Sequence, residues 1–519
     1  MILVWLFLIP FIGGFLSWQG ERFGRGFPRY VALGTMAIVL LMALQLWATG
    51  DYSLTLLGDK PSWVQEFQVP WIPSLGISFH LALDGLSLLL IILTGLIGVL
   101  AVACSWNEVQ RNVGFFHLNL LWNLGGVIGI FLAMDLFLFF FFWEMMLVPM
   151  YFLIALWGHN IPGGKGRVFA ATKFFIFTQA SGLLMLLSIL ALVFVHKDAT
   201  GIITFDYAEL LKTPMSSTVE FWLMLGFFVA FAVKMPVVPL HSWLPDAHSQ
   251  APTAGSVDLA GILLKTAAYG MLRFGIPLFP HASHQIAPVA MWLGILGIIY
   301  GAVLAYSQTD IKRFVAYTSI SHMGFVMVGI YAGTEQALQG VVMQMLAHGI
   351  SAGALFILCG EMYERLHTRD IRQMGGLWSR IAYLPPIALF FVAASLGLPG
   401  LGNFVGEFLI LVGTYKVEPV VAIVSSSGLI LAAVYSLFLM QKAFHGPAKS
   451  EEKLADLNGR ELSTMLSLMA ILLFLGLYPQ PILDLSRAPM AAVQKIYAAA
   501  PTADAAATDN VSNVAGGVQ

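Results

Sequence analysis

The chain has 519 residues, 58% of them hydrophobic and only 10% charged, with a mean hydropathy of +0.82 and a formal net charge of -2. About a quarter of the residues of a soluble domain are charged, so this composition describes a polytopic membrane protein, and its near-neutral charge gives no reason to expect nucleic acid as a partner. Cys104 and Cys359 are single and far apart, which excludes an iron–sulfur cluster or a zinc site of ordinary ligand count, and no GxGxxG run follows a strand-like segment.

A helix crosses a bilayer with about 20 apolar residues, and on that ruler the chain predicts fourteen spans. They are 2–18, 30–47, 81–106, 114–134, 136–157, 168–195, 220–244, 255–274, 287–306, 311–331, 338–358, 384–411, 420–440 and 462–485. The first has no basic flank or small-residue cleavage site and reads as a retained helix. The connections 48–80 and 196–219 carry aromatics and prolines and read as packed surface loops. The tail 499–519 is small and polar without periodicity, the pattern of a disordered segment. With the N-terminus outside, sixteen Lys and Arg fall on cytoplasmic connections, Lys312 among them, and seven on outer ones, Arg273 among them. Lys173, Lys234 and Lys265 lie within spans. This asymmetry predicts both termini on the outer side.

Two spans are interrupted. In span 7, Pro236 and Pro239 cannot donate to the carbonyls one turn back, so the helix breaks just after Lys234. In span 12, Pro399 and Gly400 break the helix shortly before Glu407. Irregular backbone at membrane depth persists only inside protein or beside a water-filled cavity, so each break marks a polar site. Five spans separate the two breaks. The expected fold is therefore all-α, with about fourteen membrane helices containing two inverted five-helix repeats, spans 4–8 and 9–13. The corresponding divisions are 1–111, 112–276, 277–445, a last helix with its cytoplasmic connection at 446–498, and the tail 499–519.

Charged residues inside a membrane are costly and face protein or water. Glu144 stands alone in an aromatic run and is either a hydrogen-bonded structural acid or the partner of Lys234. Lys265 is too central in span 8 to snorkel, and Asp258, two turns away, is too far for direct contact. Lys173 lies near Arg167 and a span end, so snorkelling competes with a relay role. Glu407 follows the second break as Lys234 precedes the first. His241, His322 and His348 lie in or at the ends of spans 7, 10 and 11, as core groups or as relay stations, and no close spacing among them predicts a metal. Glu144, Lys234, Lys265, the histidines and Glu407 form a row of titratable groups that suits proton transfer better than ligand transport.

The stretches WEMMLVPMYFLIALWG, FAVKMPVVPLHSWLPDAHSQAPTAGSVDLAGILLKTAAYG, QTDIKRFVAYTSISHMGF and LPGLGNFVGEF closely resemble the antiporter-like membrane subunits of NADH:quinone oxidoreductase, respiratory complex I, over nearly the whole chain. Subunits of multi-subunit cation/proton antiporters and of energy-converting membrane hydrogenases share the likeness. Within the family, Glu407 where the sister subunits typically have lysine, and the absence of a long lateral helix, point to one branch. The resemblance implies a proton-translocating subunit of a bacterial inner membrane. It implies Glu144 paired with Lys234, Lys265 as central relay, His322 and His348 as bridges, His241 beside the first break, and Glu407 as the terminal group. It implies no cofactor in this chain, with FMN, iron–sulfur clusters, NADH and quinone used elsewhere in the complex. The implied partners are the sister antiporter-like subunits L and N, the lateral helix of subunit L, and lipids.

Overall fold

The computed structural model describes residues 1–53, 63–160, 166–448 and 453–499; the expected tail disorder falls outside them apart from Ala499. In chain order the helices and strands are α1 Ile2–Gly20, α2 Phe27–Thr49, β1 Gln65–Ile72, β2 Ile77–Leu83, α3 Gly85–Glu108, α4 Val113–Leu132, α5 Leu136–Met145 and α6 Leu147–Trp157. Next come α7 Arg167–Thr200, α8 Tyr207–Leu210, α9 Ser217–Lys234, α10 Trp243–Gln250, α11 Thr253–Asp258, α12 Leu264–Gly270, α13 Ile276–Leu278, α14 Pro280–Ser307 and α15 Ile311–Ala332. The chain closes with α16 Glu335–Leu366, α17 Leu377–Arg380, α18 Leu384–Ser395, α19 Gly402–Tyr415, α20 Pro419–Leu439, α21 Gly459–Leu477 and α22 Gln480–Ala499.

Among the described residues, thirteen helices are long and apolar enough to cross a membrane, and α18 with α19 supplies the interrupted span 12, which completes the predicted fourteen. Burial ranks them. The most apolar window of α16 is 100% buried and that of Thr253–Leu278 94%, against 33% for α2 and 28% for α21. The inner helices therefore carry the site, and the outer ones present apolar side chains to lipid.

Two sequence expectations change. The chain is not purely α-helical, because residues 65–83 of the expected packed loop and the start of span 3 form an antiparallel hairpin, Gln65 opposite Leu83. Its turn needs Gly76, at φ +68°, where a Cβ would lie 2.0 Å from the Ile203 carbonyl oxygen. The last span ends at Leu477 rather than residue 485, because Pro479 cannot continue the helix. The chain then turns into α22, whose buried side includes Ile482, Leu485, Met490, Val493 and Tyr497. Apolar length alone merged the two helices.

Caps start the inner helices. Asp84 accepts from the Ser87 amide at α3, Asp135 from the Phe137 and Leu138 amides at α5, and Asp310 from the Lys312 and Arg313 amides at α15. The hairpin joins the same end of the molecule as the α4–α5 turn, through the Met134 amide donating to the His80 carbonyl.

Candidate functional site

Both predicted breaks are present. Helix α9 stops at Lys234 and α10 resumes at Trp243, whose indole Nε1 donates to the Val233 carbonyl at 2.8 Å and so satisfies an oxygen orphaned by the break. Between α18 and α19, Gly397 and Gly400 take φ values of +80° and +95°. A Cβ on Gly397 would lie 3.0 Å from Glu407 Oε2, so backbone geometry and space both favour glycine there.

In the second half of the predicted row, hydrogen bonds join Lys265 to His348 and His322 to Glu407, and the two histidine rings lie near each other without a bond between them. Lys265 lies on α12 between two π-helical turns, Leu259–Leu263 and Met271–Gly275. Such wide turns recur at functional sites. Its Nζ donates to the Ala260 carbonyl and to His348 Nδ1, the latter at 2.8 Å. The His348 and His322 rings are 5.4 Å apart. His322 Nδ1 bonds Glu407 Oε1 at 2.8 Å, and Gln344 Nε2 donates to the same oxygen at 3.0 Å. Ser395, at the end of α18, bonds His322 Nε2 at 3.2 Å. Lys265, His322, His348 and Glu407 are each at most 3% exposed.

The first half is looser. Lys234 is buried, its Nζ lies 4.8 Å from the Trp143 ring centroid, and among the described residues no atom accepts its hydrogen bonds. Glu144 acts on it electrostatically, as does Asp258, but Glu144 and Lys234 make no direct ion pair. Glu144 Oε1 instead lies against Gly182 of α7. Asp258, set aside in the sequence as too far from Lys265, accepts from Asn123, and its charge acts on Lys234.

Other residues are placed away from the row. Lys173 donates to Asp246 at 2.8 Å and to the Ser242 carbonyl at 2.7 Å, and Arg313 holds the other Asp246 oxygen at 2.8 Å, so Lys173 anchors α10. His241 packs beside Tyr300 and Tyr317 just past the first break. Two cations counted as loop charges are buried. Lys312 donates to the Ala251 carbonyl at 2.9 Å, and Arg273 pairs with Asp84. Each sits near a span end in sequence, and only packing turned it inward.

The sequence reading missed Gln344, Ser395 and His248. Gln344 precedes His348 by four residues, one helical turn on the same face, which was a usable signal. His248 lies within the polar stretch around the first break. It is fully buried, stacked on Phe356 at 4.3 Å, and neither ring nitrogen has a partner among the described residues.

A helical membrane bundle with two interrupted helices and a buried row of Lys, His and Glu between them defines the class of antiporter-like membrane subunits. A family model described as NADH:quinone oxidoreductase/Mrp antiporter, TM, matches residues 133–432. NADH-quinone oxidoreductase subunit M of Pseudomonas aeruginosa is 67% identical over 96% of this chain and 99% of its own length; that of Escherichia coli (strain K12) is 65% identical over 96% and 98%. A chain of respiratory complex I from Thermus thermophilus superposes with a TM-score of 0.84 at 31% identity, covering 96% of this chain and all of that one. The chain belongs to the NADH:quinone oxidoreductase/Mrp antiporter membrane family.

Proposed function

We propose that this chain is a proton-translocating membrane subunit of NADH:quinone oxidoreductase, of the subunit M type, with quinone reduction occurring elsewhere in the complex. The observation that carries this reading is the buried connection from Lys265 through His348 and His322 to Glu407. Each member exchanges a proton, and the aliphatic surroundings keep out competing routes.

Lys234 keeps its proton while the Glu144 carboxylate faces it. Withdrawal of Glu144 removes that attraction, and the proton passes toward Lys265, then through the two imidazoles to Glu407 and outward. A histidine ring accepts on one nitrogen and releases from the other, which suits His348 and His322 to the bridging role. Lys173 and His241 hold the first break in place. Helices α4–α12 and α14–α20 are the two inverted units, within divisions 112–276 and 277–445. The charge asymmetry supports both termini on the outer side of a bacterial inner membrane, with sister subunits L and N and the lateral helix of L as neighbours.

Glu407→Gln keeps the shape of the terminal group and removes its titration. In inside-out vesicles, the ratio of protons taken up to NADH oxidised should fall while the complex remains assembled; an unchanged ratio would sink the relay. Co-purification of an NADH-oxidising arm with the tagged chain separates this function from a cation/proton antiporter, whose partners would be small membrane subunits alone.

A further inference from the structure

We infer that the second helix break serves to hold one histidine: Ser395 on α18 and Tyr435 on α20 are positioning residues that keep His322 aimed at Glu407 whether or not its far ring nitrogen carries a proton. This role rests on the relay reading of His322 and Glu407 proposed above.

His322, on α15, is bonded on both sides of its ring. Its Nδ1 meets Glu407 Oε1 at 2.8 Å, and its Nε2 meets the Ser395 hydroxyl at 3.2 Å and the Tyr435 hydroxyl at 3.4 Å. His241 and His348 differ, since among the described residues Nδ1 of the first and Nε2 of the second have no partner. Ser395 and Tyr435 are both buried, and the Tyr435 ring packs edge-on against Phe314 of α15, with centroids 5.8 Å apart, which fixes where its hydroxyl lies.

The break explains how one span reaches both sides of the ring. Ser395 is the last residue of α18 and Glu407 lies in the second turn of α19, twelve residues on. An unbroken α-helix would set them about 18 Å apart along its axis. Here both touch one imidazole, because the chain leaves the helix at Gly397 and Gly400.

Hydroxyls suit this place. A hydroxyl donates to a ring-nitrogen lone pair and accepts from a ring N–H, so the two at Nε2 satisfy His322 in either neutral tautomer and as a cation. A carbonyl would favour only the protonated nitrogen, and an amide NH2 only the bare one. With both hydroxyls gone, a buried nitrogen is left unpaired; the ring relieves that cost by rotating, and the Nδ1 bond to Glu407 is lost with the rotation.

Tyr435→Phe keeps the packing on Phe314, and Ser395→Ala removes little more than the hydroxyl, so the complex should assemble with either or both. In inside-out vesicles each single variant should lower the ratio of protons taken up to NADH oxidised only in part, because one hydroxyl still serves Nε2. The double variant should lower it to the value that Glu407→Gln gives, a loss larger than the two single losses together. Ser395→Thr combined with Tyr435→Phe retains a hydroxyl and should match Tyr435→Phe alone, a recovery that lost packing would not give. A double variant at the wild-type ratio, or losses that simply add, overturns the positioning role, while a low ratio in Glu407→Gln leaves the relay standing. A normal ratio in Glu407→Gln overturns the relay and this role with it. Ser395→Cys, close to serine in volume and only a weak donor, should give the same loss in the Tyr435→Phe background where the alanine version fails to assemble. Failure of both to assemble assigns the hydroxyls to stability and overturns the proposal.

Discussion

Glu144 rests on Gly182 because no side chain stands there: a Cβ on Gly182 would lie 2.2 Å from Glu144 Oε1. The clash is with the end of a flexible side chain, so Gly182→Ala should assemble normally while turning the carboxylate away from Lys234. Proton uptake per NADH should then fall with little change in melting temperature. Uptake at the wild-type ratio would assign Glu144 to packing. His80 offers a test outside the membrane. Burial pulls its pKa down, but Asp206 at 2.6 Å and Glu66 at 2.9 Å outweigh that and leave it raised. A group raised on folding contributes stability that is complete below its unfolded value of about 6.5 and is lost as pH rises through the folded value. Melting temperature should therefore decline as pH rises above about 6.5, with a shallower decline in His80→Gln, as read by thermal unfolding of the solubilised protein.

Between elements, the Glu407 site depends on the backbones of α16 and α19 lying in contact. A Cβ on Gly340 would lie 2.7 Å from the Ile410 amide nitrogen, and one on Gly406 would lie 2.7 Å from that of Gln344. Backbone does not yield as a side chain does, so Gly340→Ala should cost about 1–3 kcal/mol by overpacking, measured by thermal or denaturant unfolding. It should also push α19 away and lengthen the bonds from Glu407 to His322 and Gln344. The interrupted helices were legible in the sequence because proline removes a hydrogen-bond donor wherever it falls. The Trp243 cap on Val233 was not, because the two residues are ten apart and meet only after the chain has turned.

At the scale of the molecule, the Asp84–Arg273 pair ties α3, in the N-terminal division, to the end of the helix that carries Lys265. Truncating one partner of a buried pair leaves the other uncompensated, so Asp84→Ala should lower stability by about 3–5 kcal/mol, visible as a loss of assembled complex and of melting temperature. By itself the sequence determined the membrane setting, the spans, the two breaks and the titratable residues, because hydrophobic length, proline geometry and the cost of buried charge are local properties. Tertiary structure alone decided their company. It bonded Lys265 to His348 and His322 to Glu407, set Lys173 on Asp246, separated Glu144 from direct contact with Lys234, and buried Lys312. These are contacts between residues tens of positions apart or more, and no periodicity along the chain encodes which helix faces meet.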